Sequence, residues 1–208
     1  MPGLKNHWNK VYQNSRVEIL GWYEDHPEPS LRLIEKCHLA KDAAILNVGA
    51  GASTLIDRLL DKGYEHIIAS DLSMEALNKL KERLGNQGNK VHWIVDDLTR
   101  ANELKKLEPV DLWHDRAVLH FFTETKDQEA YFELIRKLVR PGGFVIIAAF
   151  NLQGAEKCSG LPVYRYDRAM LELSLGKEFA LIESFDHTYT MPSGDTREYV
   201  YALFRRSQ

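Results

Sequence analysis

The chain has 208 residues, 27 Lys and Arg against 30 Asp and Glu, a formal net charge of -3, and 44% hydrophobic residues. That length and apolar content suit one domain with a continuous core, and the charge balance argues against a protein that holds nucleic acid chiefly through its phosphates. Two cysteines, Cys37 and Cys158, are too few for a disulfide framework and fit a reducing, cytoplasmic setting; no membrane span, secretory signal or metal-ligand cluster is read from the chain.

In chain order, residues 1–42 hold no strand pattern. They carry Trp8, Tyr12, Trp22 and Tyr23, then a helical pattern from about Glu28 with Leu31, Leu33, Ile34 and Cys37 inward, and read as a helical cap over the sheet's C-terminal edge. From Ala43 onward, short apolar runs at 43–48, 66–70, 91–95, 110–114 and 144–150 alternate with amphipathic stretches, the pattern of a parallel sheet covered by helices on both faces. Ala76, Leu77, Leu80 and Leu84 recur at helical spacing behind Ser73, a suitable N-cap. Tyr131, Leu134, Ile135 and Leu138 do the same behind Thr125 and Gln128, which have capping-box spacing, and Pro141-Gly142-Gly143 is expected to end that helix. After a long loop at 151–166 and a short helix at 167–175, two β-rich segments at 180–190 and 197–204 flank Pro192-Ser193-Gly194-Asp195 and predict an antiparallel hairpin. The expectation is an α/β, Rossmann-like fold with a seven-stranded, mostly parallel sheet: a cap at 1–42 and a core at 43–208 in one domain.

Ligands of open α/β sheets sit beyond the carboxyl ends of the strands, so those ends supply the candidate residues. The first strand runs into Asn47-Val48-Gly49-Ala50-Gly51-Ala52-Ser53, whose small residues admit a close backbone approach. Asp71 and Leu72 follow the second strand, with Asp71 placed to accept ribose hydroxyls. Asp96-Asp97-Leu98 follow the third, where an acid, preferably Asp97, can accept from an adenine amino group. The fourth strand ends in His114-Asp115-Arg116, followed by His120: a base, an orienting carboxylate and an anion clamp, with a plain structural ion pair and a packed histidine as the alternative. The 151–166 loop is long enough to be a lid or acceptor-binding element, with Cys158, Arg165 and Tyr166 as candidate contacts; Trp22 and Tyr23 either line the pocket or only pack.

The ordered set Gly49-Ala50-Gly51-Ala52-Ser53, Asp71, Asp97 and Pro141-Gly142-Gly143 resembles the class I S-adenosylmethionine-dependent methyltransferases over roughly residues 43–205. The resemblance implies S-adenosylmethionine as cofactor, with Asn47, Gly49, Ala50 and Gly51 bordering its methionine part, Asp71 and Leu72 at the ribose, Asp97 and Leu98 framing the adenine, and Asp115 nearby. Asn47 stands where the family usually has an acid, and Thr54 stands at the third glycine of the dinucleotide pattern, which counts against NAD. The expected reaction is methyl transfer to a small-molecule acceptor, with protein lysine methylation the runner-up and a non-catalytic nucleoside-binding module or an NAD-dependent oxidoreductase as readings from other classes.

Overall fold

The computed structural model describes residues 2–208. Two cap helices, α1 (Pro2–Asn14) and α2 (Glu28–Lys36), precede β1 (Ala44–Val48), α3 (Leu55–Asp61), β2 (His66–Asp71), α4 (Met74–Leu84), β3 (Val91–Val95) and β4 (Val110–Arg116). Then come α5 (Thr125–Leu138), β5 (Val139–Phe150), a small ribbon β6 (Lys157–Cys158) and β7 (Leu161–Pro162), α6 (Arg168–Leu175), and the hairpin β8 (Phe179–Thr190) and β9 (Thr196–Arg206). The main sheet has seven strands in the order β3-β2-β1-β4-β5-β9-β8. Five strands are parallel, and β9 pairs antiparallel with both β5 and β8. Among the described residues, no helix is long and apolar enough to cross a membrane.

The apolar runs are buried because both sheet faces are covered. Along β1, Ile45 packs into one layer with Leu33, Ile56, Ile67 and Leu80, while Leu46 packs into the other with Trp113, Ile135 and Ile147. Successive side chains point to opposite faces, so an all-apolar strand is what two helical layers require. Local caps set two of the helix starts: Ser73 Oγ accepts from the Ala76 amide at 3.2 Å, and an Asp167 carboxylate oxygen accepts from Met170 at 2.8 Å.

Three sequence expectations are corrected. Helix α5 has Glu124 at its N-cap with no side-chain capping bond, and Gln128 instead donates to the Phe122 carbonyl at 2.8 Å, so the Thr125–Gln128 capping box does not form. Pro141-Gly142-Gly143 lies inside β5, where the pairing with β4 jumps from Val110–Val139 to Leu112–Phe144. A Cβ on Gly143 would meet the Arg140 carbonyl oxygen at 2.9 Å and that of Asp111 at 3.1 Å, so the glycine serves a strand irregularity. The loop at 151–166 is partly ordered into the β6–β7 ribbon, stapled by Tyr164 N to the His120 carbonyl at 2.7 Å and Tyr166 N to that of Phe150 at 2.9 Å.

The sheet order reverses between β1 and β4, opening the crevice in which the functional residues gather. The cap closes over it. Helix α1 is tied to the core by Asn9 Oδ1, which accepts from Ser73 Oγ at 2.7 Å, and the Ser15 carbonyl accepts from Lys79 Nζ at 2.9 Å.

Candidate functional site

The turn after β1 is built for close approach. Gly49 and Gly51 have φ of 56° and 55°, in the left-handed region. A Cβ on Gly49 would lie 1.9 Å from a Val118 methyl, and one on Gly51 would lie 2.5 Å from the Tyr12 hydroxyl. Neighbouring chain fixes the turn: the Ala50 amide donates to the Ser70 carbonyl at 2.9 Å, and Arg83 donates to the carbonyls of Ala52 and Ser53 at 2.7 and 2.6 Å. Asp71 accepts from the Gly51 amide at 2.8 Å and from the Ser73 amide at 2.7 Å, linking the ends of β1 and β2. Desolvation raises its pKa to about 6, against the lowering pull of the Ser73, Gly51 and Leu72 amides.

The two acids after β3 have separate tasks. Asp96 accepts from the amides of Asn102, Glu103 and Leu104 at 3.2, 2.8 and 2.9 Å and so shapes the following loop. Asp97 accepts from the Thr99 amide and hydroxyl at 3.0 and 2.7 Å. Two cavities meet at Gly49, Asp71 and Val118. The smaller is walled by Leu4, Leu72, Asp96, Asp97, Leu98 and Phe122. The larger, about 900 Å³ of empty space partly open to solvent, is lined by the glycine turn, Asn47, Ala50, Glu24, Ser30, His114, Arg116, Cys158 and the rings of Trp8, Tyr12, Trp22, Tyr23 and Phe121.

Those rings form one cluster: Trp8 meets Trp22 and Phe121 edge-on at 5.5 and 5.0 Å, and Trp22 Nε1 donates to the Tyr12 hydroxyl at 3.1 Å. Trp22 and Tyr23 therefore line the cavity, as does Cys158, whose thiol is pushed up to about 11 by burial and is a weak nucleophile.

At the end of β4, the structure separates residues that the sequence brings together. His114 faces the cavity but is engaged on both nitrogens, by Asn47 Oδ1 at 3.0 Å and Ser30 Oγ at 2.9 Å. Burial first, then the Arg116 charge, lowers its pKa to about 3, so the ring is neutral and joins β4, β1 and α2.

Asp115 lies off both cavity walls, which corrects its expected place at the cofactor and as an orienting carboxylate. It accepts from the amides of Val118 and Leu119 at 3.0 and 3.1 Å and from the Tyr131 hydroxyl at 2.6 Å, so it holds Val118 over Gly49. Desolvation raises it to about 7 despite those three bonds.

His120 is likewise displaced from its expected position at the acceptor. It is fully buried against Phe121 and Phe150, its Nδ1 accepts from the Phe150 amide at 3.3 Å, and burial followed by the Arg116 charge lowers it to about 3. Arg165 donates to the Gly154 carbonyl at 3.2 Å, and Tyr166 is buried in the core; neither lines the two cavities.

Arg116 does reach the larger cavity. Its Nε lies 3.0 Å from a Glu24 carboxylate oxygen and 3.1 Å from the Tyr201 hydroxyl, and its Nη1 donates to the Trp22 carbonyl at 2.9 Å. Glu24, Ser30, Val118 and Phe121 also line the larger cavity, and the sequence does not single them out. No local motif marks them, because cap and loop reach the cavity only through the folded chain.

Comparison with known proteins places this geometry. Residues 45–143 match the family described as a methyltransferase domain. Among curated relatives, the eEF1A lysine and N-terminal methyltransferase of Mus musculus is 28% identical over 100 residues, covering 47% of this chain and 14% of that protein. The EEF1A lysine methyltransferase 2 of Danio rerio is 25% identical over 163 residues, covering 72% of this chain and 69% of the relative. The Burkholderia thailandensis 1,6-didemethyltoxoflavin-N1-methyltransferase, solved with 1,6-didemethyltoxoflavin and S-adenosylhomocysteine, superposes with a TM-score of 0.67 at 20% identity, covering 100% of this chain and 85% of that one. Residues 45–143 thus match a methyltransferase domain, and the fold of the chain is one it shares with a solved methyltransferase.

Proposed function

We propose that the protein transfers a methyl group from S-adenosylmethionine to a small-molecule nucleophile enclosed under the aromatic cap. The observation that carries this reading is the pair of cavities joined at Gly49, Asp71 and Val118, one walled by Asp97 and Leu98 and the other by aromatic rings. An extended nucleoside with an amino-acid tail fits that shape. Adenine would lie beside Leu98, Phe122 and Asp97, and the ribose hydroxyls would donate to the remaining lone pairs of Asp71. The methionyl tail would lie along the cavity lined by the backbone of the Gly49–Gly51 turn.

When bound, the cofactor supplies an activated methyl group, so the chain's own task is alignment and exclusion of water. Trp8, Tyr12, Trp22 and Phe121 wall off the acceptor space and present ring faces and edges suited to a cation. No proton transfer is assigned to His114 or His120: both are neutral, one is bonded on both nitrogens and the other is off the cavity wall. The acceptor would therefore arrive with its lone pair free or lose its proton to water.

Protein lysine methylation is the second reading, favoured by the names of the Mus musculus and Danio rerio relatives. Calorimetric titration with S-adenosylmethionine, S-adenosylhomocysteine and NAD, followed by methyl-transfer assays on thiols, amines, carboxylic acids and purified eEF1A, tests both. Binding of the first two ligands with turnover of a small acceptor is expected. Binding of NAD alone would overturn the cofactor assignment, and turnover of eEF1A alone would move the acceptor to protein.

A further inference from the structure

The larger cavity has an unusual distribution of charge. Its charged lining residues are Glu24, Asp71 and Arg116, and Asp71 is bonded to the Gly51 and Ser73 amides where the two cavities join. At the end of β1 stands neutral Asn47, and its Oδ1 is engaged by His114. A carboxylate at that strand end is therefore absent, and an ammonium group entering over the glycine turn meets no anion there.

The cap supplies one. Glu24 and Arg116 are 9% and 10% exposed, and the Glu24 carboxylate makes no polar contact among the described residues other than its 3.0 Å ion pair with Arg116 Nε. Desolvation raises its pKa while the Arg116 charge lowers it. Arg116 is stacked on Tyr189 and Tyr199 at 4.9 and 5.0 Å, and its Nη2 is buried without a hydrogen-bond partner.

A carboxylate this enclosed, with one oxygen in the ion pair, gains when a cationic ligand completes it. Two staples hold the pair in place: Thr54 Oγ1 donates to the Glu24 carbonyl at 2.8 Å, and Arg116 Nη1 donates to the Trp22 carbonyl at 2.9 Å. Residues 22–24 are thus fixed to the end of the glycine turn before any ligand arrives.

Building on the cofactor reading above, we infer that Glu24, held in place by Arg116, is a clamp for the ammonium of the cofactor's amino-acid tail. The charge that Asn47 lacks is carried by the cap.

The test compares S-adenosylhomocysteine with 5′-methylthioadenosine, which keeps the adenosine and thioether but has no amino-acid tail. Calorimetry on the wild-type protein should show tighter binding of the former. Glu24→Gln should weaken S-adenosylhomocysteine by roughly tenfold to a hundredfold while leaving methylthioadenosine nearly unchanged. Should Glu24→Gln fail to fold, Glu24→Leu combined with Arg116→Met removes both charges and the desolvation cost with them; in that variant the two ligands should bind about equally.

Unchanged affinity of a folded Glu24→Gln protein for S-adenosylhomocysteine would overturn the clamp and leave the pair to the methyl acceptor. An equal loss for both ligands would also overturn it, since the effect would then be on cap packing. Failure of the wild-type protein to bind either ligand would instead sink the cofactor reading on which the clamp rests.

Discussion

Gly51→Ala is the substitution whose consequence is most fully specified by the structure. With φ at 55°, an alanine there adopts the left-handed conformation, which costs about 1–2 kcal/mol for a residue with a Cβ. The new methyl would also lie 2.5 Å from the Tyr12 hydroxyl, and Tyr12 is 4% exposed and accepts from Trp22 Nε1, so it has little room to retreat. Overpacking of this kind adds about 1–3 kcal/mol. The expected destabilisation is about 2–5 kcal/mol, read as a lowered midpoint in urea at unchanged slope.

A double-mutant cycle separates the two parts. In a Tyr12→Phe background the hydroxyl is gone, so Gly51→Ala should cost only the backbone part of about 1–2 kcal/mol. The same variant should bind S-adenosylhomocysteine more weakly, because relief of the clash moves Tyr12 and Trp22 in the cavity wall. A loss below about 1 kcal/mol in the wild-type background, or equal losses in both backgrounds, would refute the claim that Tyr12 rests on Gly51.

Asp115→Asn should act on stability and on the position of Val118. The amide keeps one acceptor oxygen but turns an NH2 toward donors, leaving at least one of Val118 N, Leu119 N and the Tyr131 hydroxyl unpaired, at about 1–3 kcal/mol. Denaturant melts check the loss, and full stability with normal cofactor affinity would remove Asp115 from its bracing role. His120 titrates at about 3 in the folded chain against 6.5 unfolded, so the unfolded state takes up a proton first and its contribution to stability is lost as pH falls from about 6.5 to about 3. His120→Leu removes that term: relative to the wild-type protein, the variant should gain stability as pH is lowered through this window, and parallel pH profiles would refute the burial argument.

Much of the fold was legible because its signals are local or periodic. The five apolar runs, the N-cap at Ser73, the short helix near 167–175 and the hairpin turn are decided by short stretches of chain, and the chain folds accordingly. The position of the glycine turn and Asp71 at the crevice was legible for a related reason: strand ends meet the crevice in any sheet of this order, and both Asp96 and Asp97 reach it. Where local rules competed, sequence alone misjudged the outcome. Helix α5 does end at Leu138, just before Pro141-Gly142-Gly143, but those residues form the unpaired irregularity of a strand, and Thr125 loses its cap role to Glu124.

What only tertiary structure decided is which polar side chains face the cavity. His114, Asp115, Arg116 and His120 are within seven residues of one another, and sequence treats them as one cluster. The strand's alternation and the loop beyond it send them to four environments: a hydrogen-bonded floor, a loop brace, an ion pair with the cap and an aromatic core. Glu24 shows the converse. Nothing in its neighbourhood of the chain marks it, and its partner Arg116 is far along the sequence, because a buried charge pair is specified by the packing that excludes water around both groups.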